Sequence, residues 1–145
     1  MFTHILLPTD GSELSLRAVD IGIELAARYG AQVHAIHVLH PFQGVVQTMH
    51  AAPLAIEAED GSAATRAGQL LAEVQRRAEA AGVACDGKYV SDPRPYVAIV
   101  SAARQWHCDL IVMGSHGRSG LARLLAGSET QKVTTNCSVP VLVCH

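Results

Sequence analysis

Between residues 114 and 128 the chain reads Gly114-Ser-His-Gly117-Arg118-Ser-Gly120-Leu-Ala-Arg-Leu-Leu-Ala-Gly127-Ser128. Glycines without a Cβ permit positive φ and close backbone approach, so successive N–H groups can turn toward one anion. A Gly-Ser pair opening a helix adds unpaired amides and the positive end of the helix dipole. Ser128 can cap that helix or donate to a phosphate oxygen, while Arg118, Arg123 and, when protonated, His116 bring positive charge nearby. The chemistry this suggests is a phosphate cradle. The segment is neither a G-x-x-x-x-G-K-[ST] loop nor G-x-G-x-x-G, and a tight turn alone would also use such glycines. A second polar group is Pro8-Thr9-Asp10, where the carboxylate either meets a ribose or base amino group or caps the next helix.

The elements that must position these residues follow from hydrophobic period. Residues 3–8 are a short apolar run, and 31–39 alternate with Val and Ile, so both read as strands. Between them Leu14, Ala18, Ile21, Gly22, Leu25 and Tyr29 step by three and four, predicting a helix with Ser12 as N-cap and Gly30 as C′. Residues 40–61 show no clean period and read as a long irregular loop. From Ser62 to Gly82 a helical stripe returns through Ala67, Leu70, Leu71, Val74, Ala78 and Ala81. A polar strand over 83–91 follows, then a proline-led helix over 92–107 with Tyr96, Ile99, Val100, Ala103 and Trp106 on one face. Residues 109–114 are continuously apolar, the mark of a strand covered on both faces. A short helix from Ser128 and a last strand over 139–144 complete the chain.

Strict alternation of strand and helix calls for an α/β fold: one domain, 1–145, with a parallel sheet and helices on both faces. In such sheets ligands bind beyond the carboxyl ends of the strands, where strand order reverses. Both polar groups lie there. The chain's 145 residues suffice for one core without a staple, and 49% apolar with 17% charged residues argues against disorder. A net charge of −2 gives no basic footprint for nucleic acid, and no apolar run approaches a membrane span. The start shows no secretory leader, so the four isolated cysteines are expected reduced and the protein cytoplasmic. Cysteines and histidines are scattered, with no metal-ligand spacing.

LLPTDGSELSLRA, VHAIHVL, DLIVMGSHGRSGLARLLAGS and VPVLVC together resemble the universal stress protein family. Gly114, Gly117, Gly127 and Ser128 fill the G-x2-G-x9-G-[ST] signature of that family's ATP-binding branch. The resemblance implies a five-stranded parallel sheet in the order 3-2-1-4-5, with ATP, with or without Mg2+, between strands 1 and 4. It places Pro8, Thr9 and Asp10 on the adenosine side and the Val38 backbone against adenine. Met113 and Gly114 would flank ribose and phosphates; Gly117, Gly127, Ser128 and Thr130 would hold the phosphates, with Arg118 nearby. Glu129 stands where the family has a small apolar residue, and near a triphosphate it repels unless it turns outward or meets Mg2+ or Arg.

In that strand order, strands 3 and 5 are edges. Asp86, Gly87 and Lys88 blunt the first, whereas the second (Val139–Cys144) carries no charge and is expected to pair with a second copy in a homodimer, as the resemblance also implies. No residue stands out as a base or metal ligand for phosphoryl transfer, so nucleotide binding in a stress response is expected rather than catalysis. The alternative is a nucleotide-free dimeric interaction protein. A phospho-acceptor receiver would need an acidic cluster after strand 1 and a Lys after strand 5, which the chain lacks.

Overall fold

The computed structural model describes residues 1–41, 54–116 and 127–145. Strands β1 (His4–Pro8), β2 (Gln32–Leu39), β3 (Cys85–Ser91), β4 (Leu110–Gly114) and β5 (Val141–Cys144) alternate with helices α1 (Glu13–Tyr29), α2 (Leu54–Ala80), α3 (Pro95–Gln105) and α4 (Ser128–Asn136). All pairings are parallel and the strand order is β3-β2-β1-β4-β5. The expected topology is therefore present, and its reversal of direction falls between β1 and β4.

Side chains that alternate along the strands feed two cores, one on each face. Ile5, Leu7, Val33, Ala35, Leu110 and Val112 face Ala18, Val19 and Ile23 of α1 and Leu71, Val74 and Ala78 of α2. Leu6, Ile36, Ile111 and Met113 face Ile99, Ala102 and Ala103 of α3 and Val133 of α4. Every residue of β4 is buried, as a centrally placed strand requires.

Three local expectations shift. The α1 stripe is rotated by one residue: Ser15, Ala18, Val19, Gly22, Ile23 and Ala26 are buried, whereas Ile21 and Tyr29 are exposed. The cause is Gly22, where a Cβ would lie 2.3 Å from Leu7 Cδ2; its absence draws that face of the helix onto the sheet. Ser12 and Gly30 do cap this helix, the latter at φ 68°. Helix α2 begins at Leu54 rather than Ser62, inside the segment expected to be irregular, whose residues 42–53 lie outside the described residues. A glycine inside a helix costs only about 1 kcal/mol, and the Ala, Leu and Glu residues around Gly61 and Ser62 favour continuation. Finally, β5 starts at Val141, because Pro140 has no N–H for the ladder and gives only its carbonyl, to Ile111 N at 3.0 Å.

Candidate functional site

Beyond the carboxyl ends of β1, β2 and β4 lies a cavity of about 410 Å³, closed on its flanks by the first turns of α3 and α4. Its lining contains ten of the residues expected from sequence: Pro8, Thr9, Asp10, Val38, Met113, Gly114, Gly127, Ser128, Glu129 and Thr130. Gly117 and Arg118, like Gly120 and Arg123, lie outside the described residues. Ser15, Ile36, Pro95, Ile99 and His116 complete the wall.

The β1 side is a hydrogen-bonded turn. Thr9 N donates to Ile36 O at 2.9 Å, ending the β1–β2 ladder. The Thr9 hydroxyl meets Ser15 Oγ at 2.9 Å and accepts from Gly11 N, so it is spent within the turn. Asp10 Oδ1 accepts from Ser12 N at 3.0 Å, and Ser12 Oγ accepts in turn from Ser15 N. The carboxylate thus supports the helix start while also lining the cavity. His37 Nδ1 lies 2.8 Å from Thr9 O and fixes the turn against β2.

Strand β2 outruns β1. Pro8 pairs with Ile36, the last of that register, and Val38 stands two residues further on. Since Ile36 O faces β1, the alternation of a strand turns the Val38 N–H and C=O the same way, past the end of β1 and over the cavity. Ile36, Ile99 and Met113 continue one of the two cores into the wall, making this flank apolar.

The opposite end is the start of α4. Its first amides, on Ser128, Glu129 and Thr130, have no acceptor within the helix, whose first backbone bond runs from Gln131 N to Gly127 O at 3.0 Å. The cap residue is Gly127, with no side-chain cap, so Ser128 is the first helical residue and not the cap. Gly127 differs from expectation in two ways. Its φ is −56°, so positive φ is not what requires glycine here, and its N–H is consumed by Ser115 O at 2.5 Å. A Cβ at Gly127 would stand 3.1 Å from that same carbonyl; the residue contributes close approach. The Thr130 hydroxyl donates to Gly114 O and Ser115 O, at 3.0 and 3.2 Å, and ties α4 to β4. The Thr130 side chain is thus spent within the protein.

Glu129 is held at both carboxylate oxygens. Its Oε2 accepts from Tyr96 N at 3.0 Å, in the first turn of α3, and its Oε1 accepts from Lys132 Nζ at 2.9 Å. Helix α3 has no side-chain cap of its own at Arg94, so Glu129 supplies one from a neighbouring helix. The hydrogen bond to Glu129 raises the Lys132 ammonium above its ordinary value. Ser15, Pro95 and Ile99 were not singled out in the sequence as site residues. The α3 stripe already contained Ile99, but nothing local told that the start of this helix would border a cavity.

The universal stress protein family model matches residues 1–145. The chain belongs to the universal stress protein family. Universal stress protein MJ0531 of Methanocaldococcus jannaschii is 35% identical over 146 residues, covering 99% of this chain and 82% of its own. The solved structure of MJ0577 superimposes with a TM-score of 0.80 at 25% identity, over 99% of this chain and 96% of that one. A universal stress protein in complex with cAMP superimposes with a TM-score of 0.74 at 28% identity, covering 99% and 97%. Among the described residues no helix is long and apolar enough to cross a membrane.

Proposed function

We propose that the cavity binds a purine nucleotide, ATP with or without Mg2+, and that occupancy regulates a stress response through a cytoplasmic homodimer. The observation that carries this reading is convergence: three helix amides at one end and the Val38 edge at the other, none with a backbone partner across the cavity among the described residues, line one cavity. The amides suit phosphate. The Val38 edge offers one donor and one acceptor beside an apolar flank, which suits a base. The relative bound to cAMP supports the same ligand class. Pro8, Thr9 and Asp10 would line the adenosine side, Met113 and Gly114 the ribose, and Gly117, Arg118, Gly127, Ser128 and Thr130 the phosphates. We assign no catalytic residue, and read the site as one for binding.

Equilibrium dialysis with labelled ATP, with and without Mg2+, should give saturable binding at one site per chain. Mass spectrometry after gentle purification should find retained nucleotide. An empty protein that also rejects added nucleotide supports the other reading, a dimeric interaction protein. That reading draws on the Gly127 amide and Thr130 hydroxyl being paired internally. For the dimer, the support is the uncharged edge of β5, with Leu142 exposed. Sedimentation velocity should show a dimer that Leu142→Lys dissociates.

A further inference from the structure

The described part of the cavity wall is acidic, although the site would take a polyanion. Among the described lining residues the formally charged ones are Asp10 and Glu129, both acidic. Glu129 lies within the first turn of α4, beside the amides an anion would use. Its counter-charge, Lys132, is three residues further along the helix, about 4.5 Å down the axis at 1.5 Å per residue. Glu129 lines the cavity and Lys132 does not, although its ammonium reaches back to within 2.9 Å of the carboxylate. The bonds from Tyr96 N and Lys132 Nζ occupy both carboxylate oxygens. These bonds fix the carboxylate beside the first turn of the helix.

From this, and resting on the nucleotide reading above, we infer that Glu129 is a specificity-determining residue that selects ligands by phosphate charge. A nucleotide with a single phosphate is taken without a metal. A triphosphate binds well only when a divalent cation travels with it and cancels part of its charge. Near neutral pH a nucleoside monophosphate carries about two negative charges and a triphosphate about four. The helix amides attract both, and a fixed carboxylate beside them penalises the second more, since Coulomb repulsion scales with the charge brought in.

The test is a set of dissociation constants for AMP and ATP, each in EDTA and in excess Mg2+, for the parent protein, Glu129→Gln and Lys132→Met. Glutamine keeps an oxygen for Tyr96 N, so the fold is expected to survive, as a thermal melt checks. In the parent, Mg2+ should tighten ATP about tenfold and leave AMP within about twofold. Glu129→Gln should tighten metal-free ATP about tenfold and reduce its Mg2+ dependence, again with AMP little changed. Lys132→Met should do the reverse, weakening metal-free ATP several-fold. If Glu129→Gln changes AMP and ATP by the same factor, or Mg2+ has no differential effect in the parent, the charge filter is overturned while nucleotide binding stands. If neither nucleotide binds in any condition, the nucleotide reading itself fails and takes the filter with it.

Discussion

The two ends of this sheet are built from similar residues and handled in opposite ways. At the amino end, Asp109 accepts from Thr3 N, Thr3 Oγ1 and His4 N at 2.8, 2.7 and 3.2 Å, and returns its own N–H to His4 O. Alongside, His4, His34 and Trp106 stack at centroid spacings of 5.3 and 5.0 Å, and Lys88 sits 4.4 Å over the indole. Most of the polar atoms there meet another part of the chain. At the carboxyl end, helix amides and a strand edge line a cavity with no backbone partner among the described residues. A fold tolerates unpaired backbone groups where solvent or a ligand can reach them. The contrast separates the end that holds the sheet together from the end that meets something else.

The sharpest way to break that contrast is Trp106→Ala. Loss of the indole uncovers His34 and should cost about 3 kcal/mol in urea unfolding, with the nucleotide affinity of the folded protein unchanged. Equal losses in stability and affinity would mean that the two ends are not separable. Gly127→Val is the reciprocal experiment. A side chain 3.1 Å from Ser115 O must push α4 away from β4, and about 1–3 kcal/mol of strain there should appear as a ten- to hundredfold loss of ATP binding by dialysis. Unfolding at the amino end should not be triggered by it.

Asp109→Ala comes next. Removing an acceptor shared by three donors should lower stability by about 1–2 kcal/mol, read from the urea midpoint, and leave ATP binding intact. The smallest effect is one of pH. Burial lowers the His34 pKa from its ordinary 6.5; the nearby His4 lowers it further and Asp86 opposes them. The unfolded chain therefore takes up this proton before the folded one does, so His34 contributes stability above pH 6.5 that is lost as pH falls through and below that value. Thermal melts between pH 8 and 5.5 should show a drop in Tm that His34→Phe, which retains a ring beside Trp106, makes shallower. A parent protein whose Tm is flat over that range would remove His34 from the account.

Asp109 adds a separate acid step. Partial burial pushes its carboxyl up, but hydrogen bonds from Thr3 and His4 more than offset this and hold it below the ordinary 3.8. Its stabilisation is present above that value and disappears at lower pH than the His34 step. The half-buried Cys85 and buried Cys108 thiols take no part in this range, since desolvation pushes the first up to about 11 and the second up to about 12.

Much of this was legible in the residues before any coordinates. Alternation of Val- and Ile-rich runs with three-four stripes defined nearly every element, because burial against a sheet imposes its period on the chain. The continuous apolar run of β4 announced a strand covered on both faces, and Ser12 and Gly30 marked the ends of α1. The site glycines were visible as well, though for another reason than expected. At Gly127 the need is room beside Ser115 O, a contact between residues twelve apart that no local pattern encodes. The one-residue rotation of α1 has the same origin, since it depends on Gly22 meeting Leu7 across a strand–helix interface.

Composition, period and motif spacing by themselves determined that this chain is a parallel α/β domain with polar groups gathered after its first and fourth strands. Those are properties of short stretches, set by backbone geometry and the drive to bury apolar surface. Which donors remain unspent was decided only by the tertiary structure. Glu129 is the clearest case: as a residue in a sequence it is a charge near a glycine-rich loop, and in the fold it caps a different helix and pairs with Lys132. Hydrogen bonds are satisfied by whatever the packing brings within 3 Å, and that neighbour can come from anywhere in the chain.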